Sequence, residues 1–336
     1  MQTTWFWLVA AMIAVYVILD GFDLGAGIVH LLVARTDAER RAVLASIGPV
    51  WDGNEVWLLA GGGTLYFAFP ALYASSFSGF YLPLMMVLWL LILRGISIEF
   101  RNHVESLVWH PLWDAIFAGA SGLLAIFFGA ALGNVVRGVP LNSAGEFFLP
   151  LWTDLLPGKE PGILDWYTIL IAVAALIALT VHGALWVALK TSGDLQKRSR
   201  RVVNAAWLAL LPAVVLITLA SFRLQPHLRE SFAARPWGYL FPILALAGLV
   251  GIRLLGGLDG FLSSCLFLFG MLTSAAFGLY PYVLPSNSDP ALSLSIYNAA
   301  APLYGLQIGL FWFIPGTLLA IGYFVYSYWH SAGKVG

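Results

Sequence analysis

Charge is what this sequence lacks most. Of its 336 residues only 10% are charged, whereas 60% are hydrophobic, and the mean hydropathy is +0.85. Soluble domains carry about 25% charged residues, so the composition excludes a soluble globular protein and indicates an integral membrane protein. The 17 basic and 17 acidic residues cancel, which leaves no net positive field to attract a nucleic acid.

Cysteine is nearly absent as well. The single cysteine, Cys265, excludes an intramolecular disulfide and any metal or iron–sulfur site built from clustered cysteines. It lies in an apolar run, and we interpret it as a packing residue. No lysine or arginine precedes Arg35, so the first apolar segment lacks the basic start of a signal peptide. We expect this segment to be a retained helix.

Long hydrophobic runs are present instead. Roughly 20 apolar residues cross the hydrocarbon core of a bilayer, and runs of this kind predict an all-α membrane protein with nine transmembrane helices. Pro70 and the stretch "ASSFSG" (74–79) divide one long uncharged run into two of them. The predicted helices are 5–33, 54–69, 77–94, 113–135, 163–189, 202–222, 237–255, 260–282 and 304–328.

Basic residues predict the orientation of these helices, because cytoplasmic loops are enriched in lysine and arginine. An external N-terminus places twelve basic residues inside and five outside. The inner set is Arg35, Arg40, Arg41, Arg94, Arg101, Lys190, Lys197, Arg198, Arg200, Arg201, Arg253 and Lys334. The outer set is Arg137, Lys159, Arg223, Arg229 and Arg235. The sequence therefore predicts an external N-terminus and a cytoplasmic C-terminus.

Two stretches of the sequence resemble each other. "GAGIVHLLVARTDAERR" (25–41) and "GALWVALKTSGDLQKRS" (183–199) both pass from small residues through an aliphatic turn to a basic loop. This suggests an internal repeat, although any helix that runs inward can end in this way. The predicted organisation is one membrane domain, 1–336, with four-helix halves at 5–135 and 163–282 and a peripheral ninth helix at 304–328.

Two carboxylates interrupt the first apolar segment, in "ILDGFDLGAG" (18–27). Asp20 and Asp23 are three residues apart and share a helix face. An ionised side chain at the bilayer centre costs at least ~2.5–3.5 kcal/mol, whereas the accompanying glycines allow a neighbouring helix to approach closely. We therefore expect both aspartates to be buried within the helix bundle.

A second acidic group begins the second helix, in "WDGNEVWL" (51–58). Asp52 and Glu55 are again three residues apart, and Trp57 follows them. Asp52 alone has an ordinary structural explanation, because acidic residues cap helix N-termini and complement the helix dipole. That explanation does not apply to the aspartate pair in the middle of the first helix.

Counted from the inner surface, the carboxylates form a ladder that runs from Asp52 and Glu55 through Asp23 to Asp20. Such a ladder suits a proton relay from the cytoplasm, provided that the first two helices pack side by side. A cation site in a secondary transporter and neutral carboxylic acids bound to a neighbouring helix are the alternatives. The residues alone leave all three open.

The remaining polar residues are interpreted as structural. Arg94 and Arg101 in "RGISIEFRNHVE" (94–105) have acidic neighbours, and we expect a solvated, salt-bridged loop or a subunit or lipid contact. His182 is the one histidine that we place deep in an apolar span, and we interpret it as a hydrogen-bonded bundle residue. Without a second histidine at that depth, we expect no haem ligand and no metal site in this chain.

Five stretches then occur in a specific order along the chain. They are "DGFDLGAG" (20–27), "GPVWDGNEVWL" (48–58), "RGISIEFR" (94–101), "GAALGNVVRGVPL" (129–141) and "YPYVLPS" (280–286). Together they resemble subunit II of the cytochrome bd-type quinol:oxygen oxidases of prokaryotes, and the resemblance extends from the first predicted helix to the ninth.

The resemblance implies a function that composition alone does not. Members pair with a larger subunit I, which oxidises quinol and carries two haems b and one haem d, or a third haem b. Oxygen is reduced to water with cytoplasmic protons, and a membrane potential results across the prokaryotic cell (inner) membrane. Subunit II contributes to the proton path and, in some members, to an oxygen tunnel or a structural quinone site. A small accessory subunit and membrane lipids are further expected contacts.

The resemblance also assigns residues. Asp52 matches the family's proton-path aspartate, and Asp20 and Asp23 match an acidic pair deeper in that path. Trp57 matches an aromatic residue that is proposed to line the oxygen route, whereas Glu55 stands where some members have glutamine. A secondary transporter with an acidic cation site and a purely scaffolding subunit are the alternative functions.

Overall fold

The computed structural model describes residues 1–158 and 161–335, and these residues form a helical bundle with one small β-ribbon. The helices are α1 (Gln2–Val33), α2 (Asp37–Ile47), α3 (Trp51–Ala68), α4 (Pro70–Gly79), α5 (Tyr81–Phe100), α6 (Trp109–Arg137), α7 (Trp166–Lys190), α8 (Gly193–Leu224), α9 (Pro226–Ala234), α10 (Leu240–Leu254), α11 (Gly257–Leu279) and α12 (Leu303–His330). Before α12, β1 (Tyr282–Leu284) pairs antiparallel with β2 (Leu294–Ser295). Lys159, which the sequence places in the outer loop, lies outside the described residues.

Eight helical stretches of the described chain are long and apolar enough to cross a membrane. They are α1, α5, α6, α7, α8, α11, α12 and the stretch Pro236–Leu254, which joins a 3₁₀ turn to α10. The all-α class is thus confirmed. The second predicted span coincides with α3, which is less apolar because Asp52, Asn54 and Glu55 occupy its first turns. The count of nine spans stays a prediction.

Several boundaries differ from the predicted ones for local reasons. The stretch 74–79, which with Pro70 is predicted to divide the second and third helices, is itself helical in α4, and Pro70 begins α4 because its fixed φ suits a first helical turn. Thr36 and Glu39 form a capping box that starts α2 within a predicted loop. The charged residues before 202 continue α8 as regular helix, so this helix begins at Gly193.

The first helix lies at the centre of the bundle, where α1 contacts α3, α6, α7 and α11. Glycines permit the closest approach. A Cβ atom added at Gly25 would lie 2.6 Å from the Cα atom of Gly183 in α7. These two glycines begin the similar stretches 25–41 and 183–199, so equivalent positions meet at this contact. The division into two four-helix halves stays a prediction, which this symmetric contact supports.

The last helix lies on the outside of this chain. Of the described residues in α12, Leu306 alone is fully buried. Hydrogen bonds hold both ends of the helix: the Trp5 indole donates to the Leu306 carbonyl at 3.0 Å, and the Lys190 ammonium donates to the Ser331 carbonyl at 2.5 Å. Because the contact with Lys190 lies at the end of α7, it also places the C-terminus beside the end of α7 and the start of α8.

The glycine contact between α1 and α7 generates a stability prediction. Gly25→Val should destabilise the protein by about 1–3 kcal/mol, the usual cost of overpacking, because the added side chain meets the backbone of α7. Gly119→Val is the matched control, since that α6 glycine is exposed and has open space around it. Thermal unfolding of the purified protein measures both variants, and equal midpoints would contradict the proposed close contact.

Candidate functional site

The two aspartates of α1 are completely buried, and one of them is paired with an arginine. The Arg94 guanidinium donates to both carboxylate oxygens of Asp20, with Nη1 at 2.9 Å from Oδ2 and Nη2 bound to Oδ1. Both side chains are 0% exposed. Because removing an ion from water costs several kcal/mol unless an opposite charge is close, this two-point ion pair is what makes Asp20 tolerable inside the bundle.

Asp23 has a neutral partner instead. Its Oδ2 accepts a hydrogen bond from the Asn54 amide at 2.7 Å, and Asn54 Oδ1 accepts one from the Tyr328 hydroxyl at 2.8 Å. The chain of bonds thus links α1, α3 and α12. Among the described residues, the other oxygen, Oδ1 of Asp23, has no hydrogen-bond partner although it is buried. Asp23 can therefore gain or lose a proton without breaking an ion pair.

The acidic residues of α3 extend this cluster towards the surface. Glu55 is half-buried, and its carboxylate lies 3.9 Å from Arg94 Nη2, so one guanidinium serves both Glu55 and Asp20. Asp52, in the first turn of α3, is exposed in this chain. The contact between α1 and α3 meets the condition that a relay through these carboxylates requires.

Trp57 lies apart from the carboxylates. Its ring is half-buried and lies 5.6 Å from the ring of Phe324 in α12. Together they contribute to an open apolar groove of about 560 Å³ between α1, α3 and α12. The groove is lined by Trp5, Met12, Val56, Trp57, Ala60, Gly63, Thr64, Phe67, Gly309, Trp312, Phe313, Gly316, Thr317, Ala320 and Phe324.

Arg94 and Arg101 correct the predicted solvated loop. Arg94 lies within α5, and Arg101 directly follows it, yet both are almost completely buried. They are seven residues apart with buried Ser97 between them, a spacing that places all three on one helix face. Sequence reasoning missed this signal because it treated the two arginines as the start of a polar loop, whereas their spacing continues the helix.

Arg101 belongs to a second buried cluster, centred on Asp114 of α6. The Asp114 carboxylate accepts from Arg101 Nε at 2.5 Å, from Arg40 at 2.9 Å and from His30 Nε2 at 2.7 Å. Arg101 also binds Asp37 at 2.7 Å, and this hydrogen bond holds the pKa of Asp37 below its ordinary value. The cluster links the C-terminal ends of α1 and α5 to the first turns of α2 and α6. It lies on the side of the bundle where the C-terminus of the chain lies, which we call the C-terminal side.

The buried histidines form hydrogen bonds within the bundle. His182 Nε2 donates to the Ile18 carbonyl at 2.8 Å, and its Nδ1 lies 2.7 Å from the Ser264 hydroxyl. With both ring nitrogens bonded, His182 does not fit a haem ligand, in agreement with its interpretation as a bundle residue. His30 is also fully buried, but it lies three residues before the end of α1 and bonds to Asp114, so it is not at the depth of His182. The described residues hold no group of three or more His, Cys, Asp or Glu placed for a metal ion.

Comparison with known proteins gives matches along nearly the whole chain. The family described as cytochrome bd terminal oxidase subunit II matches residues 1–331. A probable cytochrome oxidase subunit 2 of Haemophilus influenzae is 30% identical over 98% of this chain and 94% of its own. Cytochrome bd ubiquinol oxidase subunit 2 of Bacillus subtilis is 31% identical over 90% of this chain and 88% of its own. A chain of the solved bd oxidase from Geobacillus thermodenitrificans has the same fold, with a TM-score of 0.72 at 17% identity over 96% of each chain.

The buried ion pair predicts that a second substitution restores the stability lost in the first. Arg94→Leu should destabilise the protein by roughly 3–5 kcal/mol, because it leaves Asp20 buried without its counter-charge. The double variant Arg94→Leu/Asp20→Leu should recover most of that loss, since no unpaired charge remains.

Thermal unfolding and membrane yield measure both variants. The control is Arg35→Leu, an exposed arginine just after α1, which should change stability by less than about 0.5 kcal/mol. A double variant as unstable as Arg94→Leu alone would contradict the role of the ion pair.

Proposed function

The chain belongs to the cytochrome bd terminal oxidase subunit II family, and from this membership we propose that it acts as subunit II of a heterodimeric oxidase. The complex oxidises quinol and reduces oxygen to water in the prokaryotic inner membrane. This chain spans the membrane several times, with its N-terminus outside and its C-terminus in the cytoplasm. Family membership favours this function over a secondary transporter with a cation site.

The haems belong to subunit I rather than to this chain. Both ring nitrogens of His182 are bonded, to Ile18 and Ser264, so His182 does not suit a haem held between two histidine side chains. When bound to subunit I, haem b and haem d, or a third haem b, carry electrons from quinol to oxygen. The contribution of this chain lies in its carboxylates and in its contact with that subunit.

The proposed contribution is part of the proton path from the cytoplasm. The observation that carries it is the cluster in which Arg94 is shared by Asp20 and Glu55 while Asp23 keeps one free, buried oxygen. Carboxylates buried inside a membrane bundle typically serve proton relays or ion sites. The cluster connects the middle of α1 to the first turns of α3. It therefore extends from the interior of the membrane towards the C-terminal side of the bundle.

The carboxylates take different roles in this path. Exposed Asp52 collects protons at the surface, and Glu55 continues the line one turn further along α3. Asp20 is held by Arg94 and stabilises the cluster as a fixed charge. Asp23 is the group that takes up and releases the proton, because its partner Asn54 is neutral and one of its oxygens is free.

The proposed path predicts a specific loss of activity. Asp23→Asn and Asp52→Asn in the assembled complex should lower quinol-driven oxygen consumption roughly tenfold or more, as expected when a positioned proton-transfer group is removed. Charge separation in proteoliposomes should fall in parallel. The haem spectrum should stay unchanged, which shows that the complex still assembles.

The matched control for Asp52 is Asp194→Asn. Asp194 is likewise an exposed acidic residue in a first helical turn, at the start of α8 on the same side of the bundle. Full activity is expected from this control. If the Asp23 and Asp52 variants also kept full oxygen consumption and charge separation, this chain would be a scaffold and the proton path would lie elsewhere.

The face formed by α3 and α12 is the proposed contact with subunit I. In the part of the chain that the structure describes, the membrane-spanning stretch of α12 is 0% buried, so its whole surface is open to a neighbour. Next to it, Glu55 of α3 is partly exposed, and a carboxylate is poorly suited to lipid. A protein partner packed on α12 would shield this carboxylate from lipid.

The apolar groove beside Trp57 opens between the same helices, α3 and α12. Its apolar lining suits the passage of oxygen or the isoprenoid chain of a structural quinone, both of which partition into apolar surroundings. We propose that the oxygen route, if it crosses this chain, passes Trp57. A small accessory subunit would take a different face from the one assigned to subunit I.

The contact proposal predicts a defect in assembly. Gly63→Trp places a large side chain on the exposed face of α3, where open space surrounds the glycine in this chain. It should reduce the amount of subunit I, measured by its haem spectrum, that co-purifies with tagged subunit II. Ala209→Trp on the exposed surface of α8 is the control and should leave co-purification unchanged. Equal assembly of both variants would contradict the assigned face.

A further inference from the structure

A second apolar groove lies along the exposed face of α10. It has a volume of about 540 Å³. Large aliphatic side chains form its walls, and two small residues, Ala247 and Gly251, leave space between them. The lining residues are Ile243, Leu246, Ala247, Val250, Gly251, Leu254 and Leu255. The stretch from Ile243 to Leu254 is about 16.5 Å long at ~1.5 Å per residue, which matches the ~15 Å thickness of one leaflet of the hydrocarbon core.

Arginines gather where this groove reaches the C-terminal side of the bundle. Arg253 follows Val250 by three residues, which places it beside the groove on α10. Its Nη1 donates to Asn204 Oδ1 of α8 at 3.2 Å. Arg200 and Arg201 precede Asn204 by four and three residues and therefore share its helix face. Arg253 is thus tied to α8 beside the groove, and Arg200 and Arg201 lie one helical turn away from its partner Asn204.

The positive charge of this corner is not neutralised by the protein. The ion pairs formed by the neighbouring basic residues are Lys197 with Asp194 and Arg198 with Glu39. Within residues 1–158 and 161–335, none of the three arginines at the groove forms an ion pair. Asp259, at the start of α11, is the nearest acidic residue in sequence to Arg253. Counting Asp259 against the three arginines leaves a net charge of +2.

We propose that this groove and its arginines bind an anionic phospholipid. The phosphate-bearing headgroup lies against Arg253, Arg200 and Arg201, and one acyl chain lies along the face of α10. Charge complementarity at the membrane surface and an apolar groove one leaflet long are the two features that a phospholipid requires. This site lies apart from the proposed proton path and from the face assigned to subunit I, so it does not depend on either proposal.

The test compares two lipids with identical acyl chains on the purified oxidase complex. Phosphatidylglycerol, which is anionic, and phosphatidylcholine, which has no net charge, are titrated in detergent, and bound lipid is counted by native mass spectrometry. The wild-type complex should retain phosphatidylglycerol in preference. Arg201→Gln/Arg253→Gln should weaken its binding by roughly fivefold per arginine, as expected for a basic side chain at a membrane surface.

Two further variants separate this site from general charge effects. Arg223→Gln/Arg229→Gln removes two exposed arginines at the opposite end of α8 and in α9, and binding should be unchanged. Ala247→Trp fills the groove from an exposed position without changing charge, and it should also lower phosphatidylglycerol binding. Equal binding of the two lipids to the wild type, an equal loss in the Arg223/Arg229 variant, or full binding to Ala247→Trp would each overturn the proposal.

Discussion

The ion pair between Arg94 and Asp20 is the interaction on which the interior of this bundle depends. Neither charge is stable alone inside a membrane, and their pairing requires the Arg94 side chain of α5 to reach α1. Seven residues further along the same face of α5, Arg101 repeats the arrangement with Asp114 of α6. Two layers of buried charge, about 10.5 Å apart along the helix, thus fix the relative position of α1, α5 and α6.

This constraint gives two similar aspartates different chemistry. Asp20 is bound at both oxygens by a permanently charged guanidinium, whereas Asp23, one turn away, faces the neutral amide of Asn54. Paired acids with contrasting surroundings are the usual way in which a protein separates a fixed charge from a group that exchanges protons. Asn54 and Tyr328 had no assigned role in the sequence interpretation, yet they connect the exchangeable acid to α12.

Much of the architecture could be predicted from local patterns. Apolar runs locate the transmembrane helices to within a few residues, because their length is set by the bilayer. Errors arose where helix continued without an apolar signal, as at Gly193 and in the serine-rich stretch 74–79. For the same reason the sequence analysis placed Arg94 in a polar loop. A single sequence shows where charge is rare but not which distant charge will neutralise it.

The sequence by itself determined the all-α membrane class, the family and the placement of two carboxylates in the middle of the first helix. The tertiary structure decided which of them is paired, since Arg94 is 74 residues from Asp20 along the chain. It also decided that His30 joins Asp114, and that Arg253 meets the α8 residue Asn204. The physical reason is that hydropathy acts within one helix, whereas ion pairs and hydrogen bonds form between helices that only packing brings together.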